Sequence, residues 1–393
     1  MNKYIDEAES LLMHTYNRAK IVFDKGEGVY LYDVNGKKYL DFAAGIAVFA
    51  FGYGNKEYND AIKIQIDKLI HTSNLYYNLP IIEAAKKLIK ASYMDEVFFT
   101  NSGTEAMEGA IKLAKKYAYQ KTGHANHEII SMNQSFHGRS LGALAVTGQP
   151  KYKKPFGPMI EGVVYAEFNH LESVKELVNE KTCAIIVEPI QGEGGIYPAT
   201  SEFLEGLRKI CDDNDILLIF DEIQCGMGRT GDMFAYQGYG VKPDIITIAK
   251  ALGCGLPVGA FAAIYKVAEA FKPGDHGTTY GGNPLAGAAV SKVFDMFESE
   301  GILENVKEVG GYLEKQLDSL VEKYDFILER RGKGLMQGIE LNREVKSYID
   351  KAAEKGLIII SGGMNIIRFV PPLIITKENV DEMIGILEEC FGE

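Results

Sequence analysis

Helical patterns alternate with short β-rich runs along the middle of this chain, and this alternation constrains the fold more than any other feature. Apolar residues recur at helical spacing over 57–70, 80–91, 105–118 and 201–213. Runs rich in β-branched and apolar residues occupy 96–100, 128–132, 184–188, 216–220, 244–249 and 260–265. Strands that are separated by helical crossovers run parallel and are covered by helices. The sequence therefore predicts an α/β fold with a mostly parallel sheet, which binds ligands at the carboxyl edge of its strands.

Different patterns flank this central region. Residues 29–42 alternate apolar and polar side chains around Asn35-Gly36, which is a signal for a two-residue hairpin. After Asn283-Pro284 the sequence indicates helices over 284–299, 302–323 and 378–391, with short strands at 336–341 and 365–370. We therefore predict a large domain (57–283) and a small C-terminal α+β domain (284–393), with the N-terminal segment and its hairpin (1–56) packing against the small domain.

Composition limits the possible functions. The 393 residues are 46% hydrophobic and 24% charged, and the formal net charge is -12 with both signs mixed along the chain. Without a basic stripe, we expect no binding to nucleic acid or to a membrane surface. Five widely spaced cysteines without a CxxC pair indicate reduced thiols and give no support for a metal site. Because the first residues lack the apolar core of a signal peptide and no apolar run approaches about 20 residues, we expect a cytoplasmic protein.

Two strands deliver a lysine and an acid to the same predicted sheet edge. The run 244–249 ends in Lys250, directly before the glycine-rich turn 253–259, and the run 216–220 ends in Asp221. A lysine amine can form a Schiff base with pyridoxal phosphate, and a carboxylate can pair with the pyridinium nitrogen of that cofactor. The pair therefore suggests a pyridoxal phosphate site.

A phosphate site is predicted where a helix follows the strand 96–100. Ser102 and Glu105 have the spacing of a capping box, and Ser102, Gly103 and Thr104 offer hydroxyls and close backbone approach. The first turn of a helix presents unpaired amides and the positive end of a dipole to an anion. An ordinary N-cap would give the same pattern, and it is the combination with Lys250 and Asp221 that favours phosphate.

Two further loops follow strands at this edge. In the first, Phe136 could stack on a planar cofactor and Arg139 could hold a carboxylate, although residue type alone favours a core phenylalanine and a surface arginine. In the second, Glu188 and Glu193 lie among glycines that would permit backbone excursions, so that a carboxylate could pair with an arginine and release it. A solvent loop with a salt bridge is an equal alternative for this second loop.

Other motifs are absent or are discounted. Gly226 to Gly231 matches GxGxxG, but Asp221 and Glu222 precede it, where they would repel a pyrophosphate, and no clear helix follows. We interpret this match as a tight glycine turn. The sequence contains no GxxxxGK(S/T), HExxH or GxSxG. The pair His124 and His127 fits a polar loop better than a metal site.

Taken in order, these segments resemble the class III, or ω-type, aminotransferases, which are fold-type I pyridoxal phosphate enzymes. The resemblance covers nearly the whole chain and rests on 101–106, 136–139, 188–195, 221–224, 249–252 and 278–284. It implies a large cofactor-binding domain built on a mostly parallel sheet, together with a smaller α+β domain.

The resemblance also implies contacts with the cofactor. Lys250 would form the Schiff base, Asp221 would pair with the pyridine nitrogen, and Phe136 would stack on the ring. Gln224 would reach the ring hydroxyl, while the phosphate would be held by Ser102, Gly103 and Thr104. Thr279 would contact the phosphate bound by a neighbouring subunit, which implies a homodimer with shared active sites.

Within the class, the resemblance is strongest to the acetylornithine aminotransferases, through 40–48, 71–76, 273–279 and 366–373. It implies that Arg139 holds the distal carboxylate of glutamate and Arg368 its α-carboxylate. Glu193 would neutralise Arg368 when a substrate without that group is bound, and Tyr16 would line the pocket. The expected reaction transfers the terminal amino group of N2-acetylornithine to 2-oxoglutarate in arginine biosynthesis.

Departures from the family pattern leave alternatives open. Ornithine aminotransferases typically carry a tyrosine where Ile46 stands, which disfavours free ornithine, while 51–56 and Met107 depart from the usual residues. The amino donors 4-aminobutyrate, succinylornithine and succinyldiaminopimelate remain possible, since sequence does not give the pocket width. A non-catalytic protein with this fold is disfavoured by the intact Lys250, Asp221 and Arg139. A nicotinamide oxidoreductase that uses Gly226 to Gly231 is the third alternative.

Overall fold

A seven-stranded sheet forms the centre of the molecule, as seen in a computed structural model that describes residues 2–392. The strand order is Glu96–Thr100, Gly259–Ala263, Ile245–Ile248, Leu217–Asp221, Thr182–Val187, Glu128–Met132 and Val163–Ala166. Gly259–Ala263 is antiparallel to both its neighbours, whereas the remaining strand pairs are parallel. The predicted α/β fold with a mostly parallel sheet is confirmed.

The middle of this sheet is buried on both faces. Every residue of Thr182–Val187, Leu217–Asp221 and Ile245–Ile248 is buried, as expected for strands covered by helices on both sides. Asp221 lies opposite Thr247 in the register of two adjacent parallel strands. The carboxyl ends of these two strands are therefore neighbours, and the residues that follow them share one sheet edge.

Helices cover the sheet and continue through the C-terminal third of the chain. They span Asn2–Leu11, Lys56–Lys68, Leu79–Ser92, Gly103–Thr122, Leu141–Val146, Pro150–Lys153, Leu171–Leu177, Ser201–Asn214, Ala235–Tyr239, Tyr265–Ala268, Pro284–Ser299, Ile302–Lys323, Lys346–Glu354 and Lys377–Gly392, with 3-10 turns at Lys154–Phe156 and Lys250–Leu252. Asparagine caps fix two helix starts, because Asn78 accepts from the Ile81 amide at 3.0 Å and Asn283 from the Ala286 amide at 2.8 Å.

The predicted N-terminal hairpin is present and joins the C-terminal part of the chain. Tyr30–Asp33 pairs antiparallel with Lys38–Asp41. Phe23–Glu27 extends this sheet on one side, and Leu357–Ile358 extends it on the other as a parallel strand. The hairpin thus pairs with a strand more than 300 residues further along the chain. The domain boundaries at 56/57 and 283/284 stay a prediction.

A second four-stranded sheet lies in the C-terminal region, with the order Ile327–Lys333, Met336–Leu341, Ile366–Phe369 and Ile360–Ser361. The two strands predicted here correspond to Met336–Leu341 and Ile366–Phe369. Ile327–Lys333 was not predicted, because it is a largely charged edge strand with the sequence ILERRGK. A small hairpin of Ile190–Gln191 and Tyr197–Pro198 contacts this edge strand.

A left-handed turn follows the hairpin strand Lys38–Asp41. Ala44, Gly45, Ile46 and Ala47 all have positive φ values, between 48° and 66°. Left-handed backbone costs a residue with a side chain about 1–2 kcal/mol. Asp41 stabilises the entry to the turn, since its Oδ1 accepts from the amides of Ala43 at 2.8 Å and Ala44 at 3.0 Å.

Within residues 2–392, no helix has the length and apolarity needed to cross a membrane. Over the same residues there is no cluster of three or more His, Cys, Asp or Glu side chains that could hold a metal ion. The rings of His124 and His127 stack with their centroids 4.8 Å apart, and His127 Nε2 lies 3.1 Å from the Thr122 hydroxyl.

Candidate active site

Lys250 lies at the carboxyl edge of the central sheet, two residues after the strand Ile245–Ile248, and begins a 3-10 turn. Its backbone is left-handed, with φ at 50°, a conformation that is costly for lysine and is found where the surrounding structure imposes it. Removal from water lowers the pKa of Lys250 to about 8, although Glu193 and Asp221 oppose this shift. A substantial fraction of the amine is therefore neutral near physiological pH.

Asp221 ends the adjacent strand and is 3% exposed. Its Oδ1 accepts from the Ile223 amide at 3.0 Å and from the Thr247 hydroxyl at 3.1 Å. Its Oδ2 accepts from His137 Nδ1 at 2.7 Å. Three hydrogen-bond contacts thus fix the orientation of the carboxylate, which is the group that a protonated ring nitrogen requires as its partner.

His137 is the functional candidate that sequence reasoning missed. It is fully enclosed, and burial by itself would lower its pKa, but the hydrogen bond to Asp221 and the charges of Asp221 and Glu188 give a net raised pKa. Within residues 2–392, its Nε2 has no hydrogen-bond partner. The available signal was its place in the Phe136-to-Arg139 loop, which follows a strand ending at the same sheet edge as Asp221.

The predicted phosphate site is formed by the start of a 20-residue helix, Gly103–Thr122. Ser102 is the N-cap and accepts from the Glu105 amide at 3.3 Å, while the Glu105 carboxylate accepts from the Asn101 amide at 2.7 Å. In the described part of the chain, the backbone amides of Gly103 and Thr104 donate no hydrogen bond. These two amides, at the positive end of the helix dipole, can bind an anion.

The Thr104 side chain has a different position from the one expected for a direct phosphate ligand. Its Oγ1 accepts from the amides of Arg139 at 3.2 Å and Ser140 at 3.1 Å, and it lies 2.8 Å from the Ser140 hydroxyl. Gly138 permits this close approach, since a Cβ there would lie 2.5 Å from Thr104 Oγ1. Thr104 therefore ties the Arg139 loop to the start of the helix.

Phe136 and Arg139 lie close together, and a second aromatic residue, Tyr152, joins them. The Arg139 guanidinium is 4.2 Å from the centre of the Tyr152 ring and 5.5 Å from that of Phe136. The two rings meet edge to face with centroids 5.9 Å apart. Arg139 is exposed and thus free to meet a substrate carboxylate, while the aromatic faces hold its guanidinium.

Glu193 and Arg368 form an ion pair at 2.6 Å, and Arg368 is 3% exposed. Arg368 also donates to Gln224 Oε1 at 3.0 Å. Burial alone would raise the pKa of Glu193, but the Arg368 guanidinium outweighs that effect and the net pKa is lowered. The electrostatic influence of both residues on the Lys250 pKa places this pair next to the lysine.

Glu188, the other acid of this loop, is part of the scaffold. Its carboxylate accepts from the Phe136 amide at 3.0 Å and from the Gly192 amide at 3.2 Å. Desolvation raises the pKa of Glu188 to about 7, because it is enclosed close to the negative charge of Asp221. Glu188 therefore joins the Phe136 and Glu193 loops, and Glu193 alone of the two acids pairs with an arginine.

Three further candidates lie outside this network of contacts. Thr279 is exposed, and the adjacent Thr278 accepts from Asn101 Nδ2 at 3.3 Å, next to the phosphate-site helix. Ile46 is 44% exposed on the left-handed turn, which contacts the turn Lys250–Leu252. Tyr16 is 74% exposed and packs on Arg18; among residues 2–392 it has no hydrogen bond or ring contact with the other candidates.

The GxGxxG match forms a succession of turns, with positive φ at Met227, Gly228 and Gly231. Arg229 within it is buried and donates to the carbonyl oxygens of Leu335, at 3.1 Å, and Pro371. Desolvation lowers the pKa of Arg229 to about 9. The motif therefore connects the central sheet to the C-terminal region, in agreement with its interpretation as a glycine turn.

The arrangement fits pyridoxal phosphate. Lys250 is a lysine with a lowered pKa, Asp221 is an ionised acid on the neighbouring strand, and the amides of Gly103 and Thr104 suit a phosphate. At the same edge, Gly103 lets the start of the helix pack closely against Ile223, because a Cβ at residue 103 would lie 2.9 Å from the Ile223 side chain. These features agree with a cofactor that carries both a ring nitrogen and a phosphate.

Comparisons with known proteins agree with this interpretation. Residues 12–391 match the family model of class-III aminotransferases. The chain is 50% identical to the acetylornithine aminotransferase of Clostridium acetobutylicum, over 98% of this chain and 100% of that one. It is 48% identical to that of Methanocaldococcus jannaschii, over 99% and 98% of the two chains.

Among solved structures, the ornithine aminotransferase of Toxoplasma gondii, which has partial occupancy of pyridoxal phosphate at its active site, superposes with a TM-score of 0.95. It is 29% identical and matches 99% of this chain and 94% of its own. The protein described here belongs to the class-III aminotransferases and is a pyridoxal-phosphate-dependent transaminase.

Proposed function

We propose that this enzyme transfers the terminal amino group of N2-acetylornithine to 2-oxoglutarate, giving N-acetylglutamate 5-semialdehyde and glutamate, in arginine biosynthesis. The observation that carries the proposal is the ion pair between Glu193 and the buried Arg368, close enough to Lys250 to influence the pKa of its amine. Such a pair lets one pocket bind substrates with and without a carboxylate beside the reacting carbon. The names of the two relatives, at 50% and 48% identity, support the same substrate.

Each residue around the cofactor has a proposed task. Pyridoxal phosphate, when bound, supplies an electron sink for the carbon that bears the amino group. Asp221 would keep the ring nitrogen protonated, and His137 orients that carboxylate through its hydrogen bond. Phe136 would stack on the ring, while Ser102, Gly103 and Thr104 would hold the phosphate, Thr104 through its amide because its hydroxyl is engaged elsewhere.

Gln224 would serve two partners. Its Oε1 already accepts from Arg368, so its Nε2 is the atom that would donate to the ring hydroxyl. Lys250 would bind the cofactor and, once released by the incoming amine, would take the proton from the substrate carbon with its Nζ. A pKa of about 8 suits this transfer, because a useful fraction of the amine is neutral.

The two arginines would bind the carboxylates of the substrates. Arg139 would bind the distal carboxylate of glutamate, and Arg368 the α-carboxylate once Glu193 has moved aside. Acetylornithine keeps its α-carboxylate far from the reacting terminal amine, so Glu193 would stay on Arg368 during that half-reaction. This closed state avoids leaving a buried guanidinium unpaired, which is costly. Tyr16 remains a candidate for the pocket wall only.

A panel of amino donors tests the substrate. With 2-oxoglutarate as acceptor, kcat/KM for acetylornithine should exceed that for ornithine, 4-aminobutyrate, succinylornithine and succinyldiaminopimelate. Lys250→Ala should abolish turnover with every donor. A higher kcat/KM for any other donor would replace acetylornithine, and no half-reaction with acetylornithine or glutamate would refute the proposal.

A homodimer with shared active sites is also proposed. Large apolar side chains are exposed along one segment and on the nearby Thr279 loop, namely Leu69, Ile70, Leu75, Tyr76, Tyr77, Leu79 and Tyr280. His71 and Tyr280 lie 5.5 Å apart between ring centroids, so the two segments adjoin. A contiguous apolar surface of this kind is typical of a protein interface. A second copy bound here would bring Thr279 to the phosphate of its neighbour.

A cytoplasmic location is proposed as well. Cys183, Cys211, Cys225 and Cys254 are buried thiols outside any disulfide, which agrees with a reducing compartment. Cell fractionation would test this proposal, and recovery of the enzyme outside the soluble cytoplasmic fraction would contradict it.

A further inference from the structure

Glu193 is presented by a short hairpin loop that lies against the C-terminal sheet. The loop, residues 192–196, connects the strands Ile190–Gln191 and Tyr197–Pro198. On the sheet beside it, Arg331 lies opposite Gly338, and Gly338 lies opposite Arg368. Arg331, Gly338 and Arg368 therefore form one row across three strands, and the loop contacts all three positions.

The middle of the row holds the loop by close packing. Gly338 has no side chain, and Ile196 fills the space above it; a Cβ at 338 would lie 3.2 Å from the Ile196 Cβ. Ile196 is completely buried. This packing fixes the residue that follows Gly195 relative to the strand that lies beside Arg368.

The far end of the row holds the loop through Arg331. This arginine is 9% exposed, and its Nε donates to the Gly195 carbonyl at 2.9 Å. Its guanidinium lies 3.8 Å from the centre of the Tyr197 ring. Glu340, at 2.7 Å, and Glu329 hold the other side of the same guanidinium. One flat, charged group thus bonds to the loop backbone and stacks on the residue where the loop ends.

The opposite side of the loop is also confined. A Cβ at Gly194 would lie 2.6 Å from the Gln134 carbonyl oxygen, and one at Gly192 would clash with the Gln224 side chain. Gly192 and Gly194 allow close approach, whereas Gly195, at φ 122°, and Ile196, at 57°, have positive φ values. Close packing therefore confines this loop on both sides.

We propose that Arg331 is a positioning residue that anchors this loop, so that Glu193 leaves Arg368 by rotation of its side chain from a fixed backbone. The inference rests on the proposed function, because the movement of Glu193 decides which substrate the site accepts. Arg331 holds Glu193 within reach of Arg368, and this favours the closed pair that the acetylornithine half-reaction uses.

Arg331→Lys in the cofactor-loaded enzyme tests the anchor. Lysine keeps the charge opposite Glu329 and Glu340 but lacks the planar group that bonds to Gly195 and stacks on Tyr197. In single-turnover measurements, kcat/KM of the acetylornithine half-reaction should fall about tenfold, while that of the glutamate half-reaction changes less than about threefold. An equal loss in both half-reactions, or an unchanged ratio, would overturn the proposal.

Variants at Tyr197 separate anchoring from general damage. Tyr197→Leu removes the stacking ring without touching a buried charge, and it should shift the ratio in the same direction by a smaller factor. Tyr197→Phe keeps the ring and should leave the ratio unchanged. If Tyr197→Leu leaves the ratio of kcat/KM for the two half-reactions at its wild-type value, the anchoring role of Arg331 is contradicted.

Amide hydrogen exchange gives a readout that does not depend on activity. Amides of residues 194–197 should exchange about tenfold faster in Arg331→Lys than in the wild type, since the loop loses its backbone anchor. Unchanged exchange refutes the anchor even if the substrate assignment holds. A wild-type enzyme without either half-reaction refutes the proposed function, and exchange then still decides whether Arg331 anchors the loop.

Discussion

At the scale of single residues, the active site is set by pairs of charged groups whose pKa values depend on burial. Desolvation lowers the pKa of Lys250 to about 8. The pKa of His137 is raised, because Asp221 and Glu188 outweigh the burial of its ring. Burial therefore decides the direction of the pKa shift of Lys250, whereas the neighbouring carboxylates decide that of His137. The lowered pKa of Lys250 makes it easier for the amine to give up and take back a proton near neutral pH.

Lys250 should make the cofactor-free protein less stable at neutral pH. Its folded pKa of about 8 lies below the ordinary value of 10.5, so the unfolded chain binds more protons between these values. The free energy of unfolding therefore rises with pH between these two values. Below pH 8 the buried amine is charged, and its full desolvation cost then lowers the stability of the folded protein. Lys250→Met should stabilise the cofactor-free protein at pH 7 by about 1–2 kcal/mol, discounted for partial exposure.

Denaturant unfolding at pH 7 and at pH 9.5 measures this difference. The gain from Lys250→Met should shrink at the higher pH, because the wild-type amine is then mostly neutral when folded. A gain that is equal at both pH values would contradict the assigned pKa shift.

His137 should support catalysis through Asp221. His137→Phe removes a charge-assisted hydrogen bond, which is worth about 1.5–3 kcal/mol, so kcat should fall about tenfold or more. The absorbance of the bound cofactor, followed against pH, would show a less readily protonated ring nitrogen. His127→Gln is the matched control, because His127 is also buried and lies away from the site. An unchanged kcat in His137→Phe would remove its role.

At the scale of elements, the start of the helix Gly103–Thr122 and the loop that follows Glu128–Met132 act as one unit. Thr104 joins them through two backbone amides, and Glu108 on the same helix accepts from the amides of Gly142 at 2.9 Å and Ala143 at 3.1 Å. The helix thus positions the phosphate site and the substrate arginine together.

Thr104→Val should separate these two tasks. Loss of the hydroxyl leaves the amides of Arg139 and Ser140 without their acceptor, at a cost of about 1–3 kcal/mol, and the Arg139 loop loses its position. KM for 2-oxoglutarate should rise about tenfold, while cofactor affinity changes little because the amides remain. Thr104→Ser keeps the hydroxyl and should behave as wild type. A large loss of cofactor with an unchanged KM would instead assign the hydroxyl to the phosphate.

The sequence predicted the buried strands of the central sheet and missed two edge strands. Thr182–Val187, Leu217–Asp221 and Ile245–Ile248 are apolar throughout, so their pattern is unambiguous. Val163–Ala166 is a short edge strand of the same sheet, and Ile327–Lys333 is mostly charged, so neither has a strong local signal.

The same limit applies to the site. Local patterns pointed to Lys250 and Asp221, and the family resemblance pointed to Arg368. The contacts of Arg331 with Gly195 and of Arg139 with Tyr152 were not predicted. They depend on which strands and loops become neighbours in three dimensions, and sequence spacing does not contain that information.

At the scale of the whole molecule, the exposed apolar segment from Leu69 to Leu79 should be the surface through which two copies associate. Combining Leu75→Glu with Tyr77→Glu places two charges on side chains that are 86% and 97% exposed. The fold of the single chain should tolerate them, whereas a dimer interface should not.

Light scattering after gel filtration should show a dimer for the wild type and a monomer for this double variant, with activity reduced at least about tenfold because a shared site is incomplete. Leu328→Glu and Met364→Glu are controls on apolar side chains that are exposed elsewhere, and they should leave mass and activity unchanged. A monomeric wild type with full activity would refute the shared site.

The pairing of the hairpin strand Lys38–Asp41 with Leu357–Ile358 has a consequence for the timing of synthesis. A nascent chain that has been translated to two thirds of its length already contains Lys250 and Asp221, yet it has neither the strand that completes the hairpin sheet nor Arg368. The left-handed turn is bonded to Asp41 of that hairpin. Arg229 donates to the carbonyl groups of Leu335 and Pro371, which are translated more than 100 residues later. The ion pair of Glu193 and Arg368 can therefore form only after the C-terminal sheet has left the ribosome, long after Lys250 and Asp221 have been made.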